Sequence, residues 1–259
     1  MKQRPQQLCI GLANLGYKVL FCQDMKKMDA GIHFPYALDY IKDTEIPNLK
    51  ICYLLERYRR EHPDETLVYY CSSGKGHVYS DYLEKFCELF LYDELDDFPE
   101  NRIESLIGQI KADRIIYSAH SLKEVIEKNR EDHPEITDRI TYVPNACEFE
   151  HWDIPLKPSH LRQAPFKIFY IGAFSAWLDF PLMLETIQNA SIACIFYFVG
   201  PNMTAWRGMQ VYVNQMAGLG NVVMLPHWDY EDLPFLAKNA DAFWIPFDVT
   251  ERIIHAWDG

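Results

Sequence analysis

The chain has 259 residues, 49% apolar and 24% charged, with 37 acidic against 25 basic side chains and a formal net charge of −12. That length supports one large domain or two ordinary ones, each with a buried core. The acidic balance argues against a nucleic-acid footprint or broad adhesion to anionic lipid, leaving room only for a small basic patch.

The opening MKQRPQQLCIGLANLG lacks the apolar core of a signal peptide, and no later stretch runs through 18 uncharged apolar residues. Seven dispersed cysteines, Cys9, Cys22, Cys52, Cys71, Cys87, Cys147 and Cys194, sit mostly in apolar runs. They read as reduced core thiols of a cytoplasmic protein. Neither C-x-x-C nor H-E-x-x-H occurs, so no zinc site is expected.

The first element is a helix over Pro5–Leu15, with Leu8, Leu12 and Leu15 on its apolar face and Gly16 as its stop, followed by a strand over Tyr17–Cys22. A helix is expected over Leu49–Arg60 and a buried strand over Thr66–Cys71, with Ser72–His77 turning the chain into a helix that runs through Phe86. A strand over Glu88–Tyr92 is closed by an acidic loop, Asp93–Asp97. Helices over Asn101–Ile110 and Leu122–Asn129 then alternate with strands over Arg114–Tyr117 and Ile140–Val143. Short apolar strands separated by amphipathic helices predict a parallel sheet covered on both faces.

From Cys147 to Pro165 the pattern lapses into Trp, His, Pro and charge, so a first domain is placed over residues 1–150 with a linker over 151–165. A second α/β series occupies 166–259. Its strands are expected at Lys167–Ile171, Cys194–Val199, Asn221–Leu225 and Ala242–Ile245, and its helices at Leu178–Gln188, Ala205–Ala217 and Tyr230–Lys238. Tandem units of this kind bind ligands at the carboxyl ends of their strands, in a cleft between the domains.

The strongest local signal is Phe169–Asp179, where a strand ends in Gly172 and a helix follows, so that free amides can receive phosphate oxygens. Gly172 would let the backbone approach without a Cβ, although a plain chain turn suits it too. Lys75 and His77 follow a strand and could meet a phosphate or an acceptor hydroxyl, yet Gly74-Lys75-Gly76 is no Walker sequence. Asp93, Asp96 and Asp97 could raise one another's pKa and supply a general base, hold a cation, or simply be a solvated loop. His227 and Trp228 could pack on a base, Asp229 caps a helix, and Pro246 and Phe247 leave a strand tip at the same rim.

Six segments, QRPQQLCIGLANLGYKVLFCQ (3–23), LYDELDDF (91–98), ADRIIYSAHSL (112–122), ITYVPNACEFEHW (140–152), FYIGAFSAWLDFPLML (169–184) and NVVMLPHWDYEDLPFLAKNADAFWIPF (221–247), follow one another in a telling order. Together they resemble the nucleotide-sugar-dependent, retaining glycosyltransferases of the two-domain GT-B type. The resemblance implies an α/β fold of two Rossmann-like parallel-sheet domains, the second incomplete. It implies an enzyme moving a hexosyl group from a nucleotide-diphosphate sugar to a hydroxyl of a cell-surface or extracellular polysaccharide or its lipid-linked precursor, on the cytoplasmic side of the membrane.

By the same resemblance, donor contacts fall to Gly172, Ala173, Phe174, Trp177, Gly200, His227, Tyr230 and Pro246. Catalytic contacts fall to Asp96, Asp97 and His77, and the acceptor side to Lys75 and Asp93. No metal or cofactor is expected besides the donor sugar. Relatives begin with a strand before Gln3 and continue beyond Phe247, which implies that this is part of a longer enzyme or a degenerate homologue. Where relatives read VPNG, Val143–Ala146 reads VPNA. Two other readings stay open: a non-catalytic GT-B-like protein that binds nucleotide or glycan, and a sugar-nucleotide epimerase.

Overall fold

The computed structural model describes residues 4–19, 55–72, 83, 85–97, 102–155, 166–203 and 208–249. The chain divides into two compact units, Lys2–Ala146 and Cys147–Gly259.

The first unit opens on helix α1 (Arg4–Asn14), which stops at Gly16. Its buried residues are Cys9 and Ala13, one turn apart, while Leu15 is exposed, so the apolar face lies one step round from the expected leucine stripe. Burial pushes the Cys9 thiol up to about 11. Of the strand expected over Tyr17–Cys22, everything from Leu20 onward lies outside the described residues.

Four parallel strands follow in sequential order, β1 (Val68–Cys71), β2 (Leu89–Glu94), β3 (Arg114–Tyr117) and β4 (Ile140–Tyr142). They alternate with α2 (Arg102–Lys111) and α3 (His120–Asp132). Cys71, Phe90, Tyr92, Ile115, Leu122 and Ile126 make the core. Strand β2 runs two residues past its expected end. Asp93 and Glu94 are therefore ladder residues, facing Ile116 and Tyr117 of β3, and not part of an acidic loop.

In the second unit, a short helix α4 (Phe149–Trp152) lies within the stretch read as irregular linker, and its Trp152 packs on the core of this unit. Residues 156–165 lie outside the described ones. The sheet has the order β7-β6-β5-β8, all parallel, from β5 (Phe166–Ile171), β6 (Cys194–Val199), β7 (Val222–Leu225) and β8 (Ala242–Phe243). Period-two alternation splits its apolar residues between two cores. Tyr170, Phe196 and Phe198 meet α5 (Phe180–Gln188) and α6 (Gln210–Ala217), whereas Phe169, Tyr197 and Val199 meet α7 (Leu233–Ala237). Both faces are thus buried, as near-continuous apolar strands require.

The helix expected over Tyr230–Lys238 is a single 3₁₀ turn, Tyr230–Asp232, and then α7. Pro234 in the first turn of α7 lacks the N–H that would continue a longer α-helix through it.

Strands in both units are tied at their starts by one device. Phe90 N–H donates to the carboxylate of Asp113, whose own N–H returns to the Phe90 carbonyl (2.7 and 3.0 Å). Lys167 and Asp241 repeat the exchange across β5 and β8 at 2.7 and 2.9 Å.

Candidate functional site

In the second unit, β5 has β6 and β7 on one side and β8 on the other, so the chain order reverses beside it. Ligands of open α/β sheets bind outside the carboxyl ends of the strands at such a reversal. The residues standing there are 172–179 after β5, flanked by 200–203 after β6 and 244–248 after β8.

The turn after Ile171 is braced from both flanks. Gly172 N–H donates to the Val199 carbonyl and Phe174 N–H to the Pro201 carbonyl, both at 2.9 Å, while Met203 N–H donates back to Phe174 at 2.8 Å. On the other flank Asp179 N–H reaches the Pro246 carbonyl (3.0 Å) and Asp248 N–H the Trp177 carbonyl (2.9 Å). Gly200 permits this closeness: its φ is +143°, and a Cβ there would sit 2.1 Å from the Gly172 carbonyl oxygen.

Of the residues expected at the donor, Phe174 and Pro246 are buried, while Gly172 and Trp177 are half-buried. Phe174 is 1% exposed, and its ring packs among Tyr170, Phe180 and Phe198 in the core, so its side chain cannot face a ligand. Gly172 has an ordinary φ and is small for a different reason from the one expected: a Cβ would meet the Tyr170 hydroxyl at 2.7 Å. That hydroxyl donates to the Ala173 carbonyl (2.8 Å) and is met by Trp177, which makes Trp177 a prop for the turn. Pro246 is buried.

Helix α5 also starts later than read, at Phe180, with the Asp179 carboxylate capping Leu182 N–H at 2.9 Å. The amides of Ala173, Ser175 and Ala176, and the nearly buried Ser175 hydroxyl, have no hydrogen-bond partner among the described residues. These are the groups through which the turn can receive an anion.

At the tip of β7, His227, Trp228, Asp229 and Asp232 line an open hollow of about 270 Å³. Tyr230 does not join that wall. Its ring stacks on His151 (4.3 Å, 3°) and its hydroxyl donates to Glu148 at 2.8 Å, while His151 Nε2 meets the Tyr230 carbonyl at 3.1 Å. Sequence reasoning missed Glu148 and His151, although Phe149–Trp152 carries the aromatic density of an ordered segment.

In the first unit, the acidic residues of β2 and the loop after it part ways. Asp93 is 1% exposed and receives the Tyr70 hydroxyl at 2.5 Å. Asp97 is gripped by the Arg102 guanidinium through two N–H groups at 2.9 and 3.2 Å. Asp96 is exposed over much of its surface, yet loss of water around the carboxyl raises it above the ordinary range.

Glu94, not singled out in the sequence, is 4% exposed and receives Ser105 Oγ (2.5 Å) and Gln109 Nε2 (2.6 Å) on the same carboxylate oxygen. Asn129 of α3 donates in turn to Gln109 Oε1 at 3.0 Å. Period-two counting through Leu89–Glu94, with the i, i+4 pair Ser105 and Gln109, is the signal that would have found this network. Lys75 and His77 lie outside the described residues. Among the described residues no three His, Cys, Asp or Glu gather as a metal site, and no helix is long and apolar enough to cross a membrane.

No family model matches the sequence, and no curated protein matches it. Solved structures do match. The apo lipopolysaccharide outer core galactosyltransferase WaaB shares 12% identity over 81% of this chain and 58% of its own, at a TM-score of 0.50. Anabaena Alr3699/HepE in complex with UDP shares 13% over 78% and 58%, at 0.53. A glycosyltransferase from Rickettsia africae ESF-5 shares 12% over 80% and 57%, at 0.52.

The fold is that of the GT-B glycosyltransferases. At these identities the likeness is one of fold, and the chain spans less than three fifths of the length of each of these structures. Within the GT-B fold, the second unit supplies the chain reversal, the braced turn and the hollow at β7, and the first unit supplies buried carboxyls at the tip of β2.

Proposed function

We propose that the chain belongs to a sugar-nucleotide-dependent glycosyltransferase, whose second unit holds the donor and whose first unit faces the acceptor. The observation that carries this reading is the turn after β5, where the amides of Ala173, Ser175 and Ala176, without a hydrogen-bond partner among the described residues, stand at the chain reversal of a GT-B fold. Backbone amides fixed in advance stabilise the negative charge that grows on a departing nucleoside diphosphate, and they need no reorganisation as the bond breaks. The hollow beside Trp228 offers an aromatic face for a base, and Asp229 and Asp232 offer acceptors for ribose hydroxyls.

On the acceptor side, Asp96 is the base of this reading: it is exposed, and loss of water around its carboxyl makes it a stronger base than an ordinary aspartate. Arg102 occupies Asp97, which leaves that residue a positioning role. The transferred group is a hexosyl unit and the acceptor a hydroxyl of a growing surface glycan. The work is done at the cytoplasmic face of the membrane, with the amides taking the place of a metal at the diphosphate.

Calorimetric titration with UDP and GDP in the presence of EDTA tests the reading, alongside hydrogen-exchange mapping. Binding with protection confined to residues 172–176 and 226–232 is the expected result. No binding of either nucleotide, or protection elsewhere, overturns it. Binding without sugar release from any nucleotide sugar would identify a non-catalytic binding protein, and turnover of the donor without acceptor an epimerase.

A further inference from the structure

Glu94 is a buried carboxyl that the proposed chemistry does not use. Its surroundings are unusual for a charged group. Both hydrogen bonds it receives, from Ser105 and Gln109, fall on Oε2; among the described residues its second oxygen has no donor, and no cationic side chain pairs with it. Arg102, the first residue of α2, is paired with Asp97. Among the described residues, the titratable groups around Glu94 are Asp93 on its own strand, Asp97 in the following loop, Tyr92 two residues before it, Cys71 of β1 beside Tyr92, and Tyr117, its register partner on β3. All of these are acids, so none offsets a negative charge. Helix α2 meets it with neutral Ser105 and Gln109, and Asn129 of α3 reaches it only through Gln109.

An ionised carboxylate has room for about four hydrogen bonds, and buried with two neutral donors and no counter-charge it is strongly penalised. A neutral acid fits the same cage. Its Oε2–H donates to Ser105 across the 2.5 Å gap, the Ser105 proton turns toward the Tyr92 hydroxyl, Gln109 still donates to Oε2, and a bare carbonyl oxygen costs less to leave unpaired than a bare carboxylate oxygen.

We propose that Glu94 is a protonated, uncharged carboxylic acid in the folded chain at neutral pH, and that loss of its proton loosens α2 and α3 from the tip of β2. The device makes the first unit sensitive to alkaline pH, whether or not the chain transfers sugar. Burial raises the Glu94 carboxyl, in keeping with this. The sign follows from linkage: the folded chain holds a proton that the unfolded chain has already released. Stability from this group is therefore full below the ordinary glutamate range and falls as pH rises toward and through the raised value.

The test is urea unfolding of the whole chain from about pH 5 to 9, wild type against Glu94→Gln, whose amide mimics the neutral acid. Wild type should lose up to about tenfold in its folding equilibrium constant per pH unit beyond any loss shown by Glu94→Gln. The variant should become the more stable protein on the alkaline side. Parallel pH profiles, with the variant weaker throughout, overturn the proposal. If Glu94→Gln does not fold, carbon NMR of wild type labelled in its glutamate carboxyls decides instead. One carboxyl titrating above all others supports the proposal, and every glutamate titrating in the ordinary range refutes it.

Discussion

The two units share an all-parallel sheet and a common tie at their strand starts, yet they secure the other end of the sheet by different physics. In the second unit the turn after β5 is anchored by aromatic rings, with Phe174 set among Tyr170, Phe180 and Phe198. In the first unit the tip of β2 is anchored by carboxyls, Asp93 on Tyr70 and Glu94 on Ser105 and Gln109. Ring packing is indifferent to pH, and here it works beside the backbone hydrogen bonds that brace the turn. Carboxyl anchors are directional, demand full partnering and respond to protons.

The sharpest way to break this comparison is Phe174→Ala. It should cost about 3–5 kcal/mol in urea unfolding, as for other buried Phe truncations, and remove nucleotide binding with the turn. Survival of both would mean that the rings do not hold the site. Next comes Gln109→Ala in the first unit, which takes a donor from Glu94 and strands Asn129. About 1–3 kcal/mol should be lost, and a loss below 0.5 kcal/mol, on the order of an ordinary surface change, would show that the network is not an anchor.

Ser175→Ala sharpens the contrast, because the hydroxyl has no hydrogen-bond partner among the described residues. Stability should stay within about 0.5 kcal/mol while UDP affinity falls about five- to tenfold in calorimetry. An unchanged affinity would place the diphosphate away from this turn. Asp97→Asn should matter least at neutral pH, about 0.5 kcal/mol or less, since the pair with Arg102 is largely exposed.

Asp241 adds a pH limb of opposite sign to that of Glu94. The Lys167 ammonium and backbone N–H hold its carboxyl below the ordinary range, so its contribution is present above the unfolded value and lost as pH falls through the folded one. Asp241→Asn should flatten the acid side of the stability profile and leave the alkaline side alone. Equal change on both sides would contradict that assignment.

Much of the strand order was readable because each strand carries a short apolar run. Arg114–Tyr117 and Cys194–Val199 begin and end where hydropathy places them. Asp93 and Glu94 were misread as loop because charge normally marks solvent, and only the cross-strand partners Ile116 and Tyr117 show that β2 continues. Phe174 shows the converse: its position after a strand-ending glycine suggests a rim, while its ring turns inward to the core. Tyr230, expected to line a pocket, is instead occupied by His151 and Glu148, residues about 80 positions away along the chain.

What the sequence by itself determined is the alternation of buried strands and amphipathic helices and the place of the glycine turn after Ile171, since both follow from local hydropathy and backbone freedom. Tertiary structure alone decided which amides of that turn are free, which carboxyls are buried, and which rings are held inside. Those outcomes depend on partners far apart in the chain, and a hydrogen bond or a packed ring exists only once both members have been brought together.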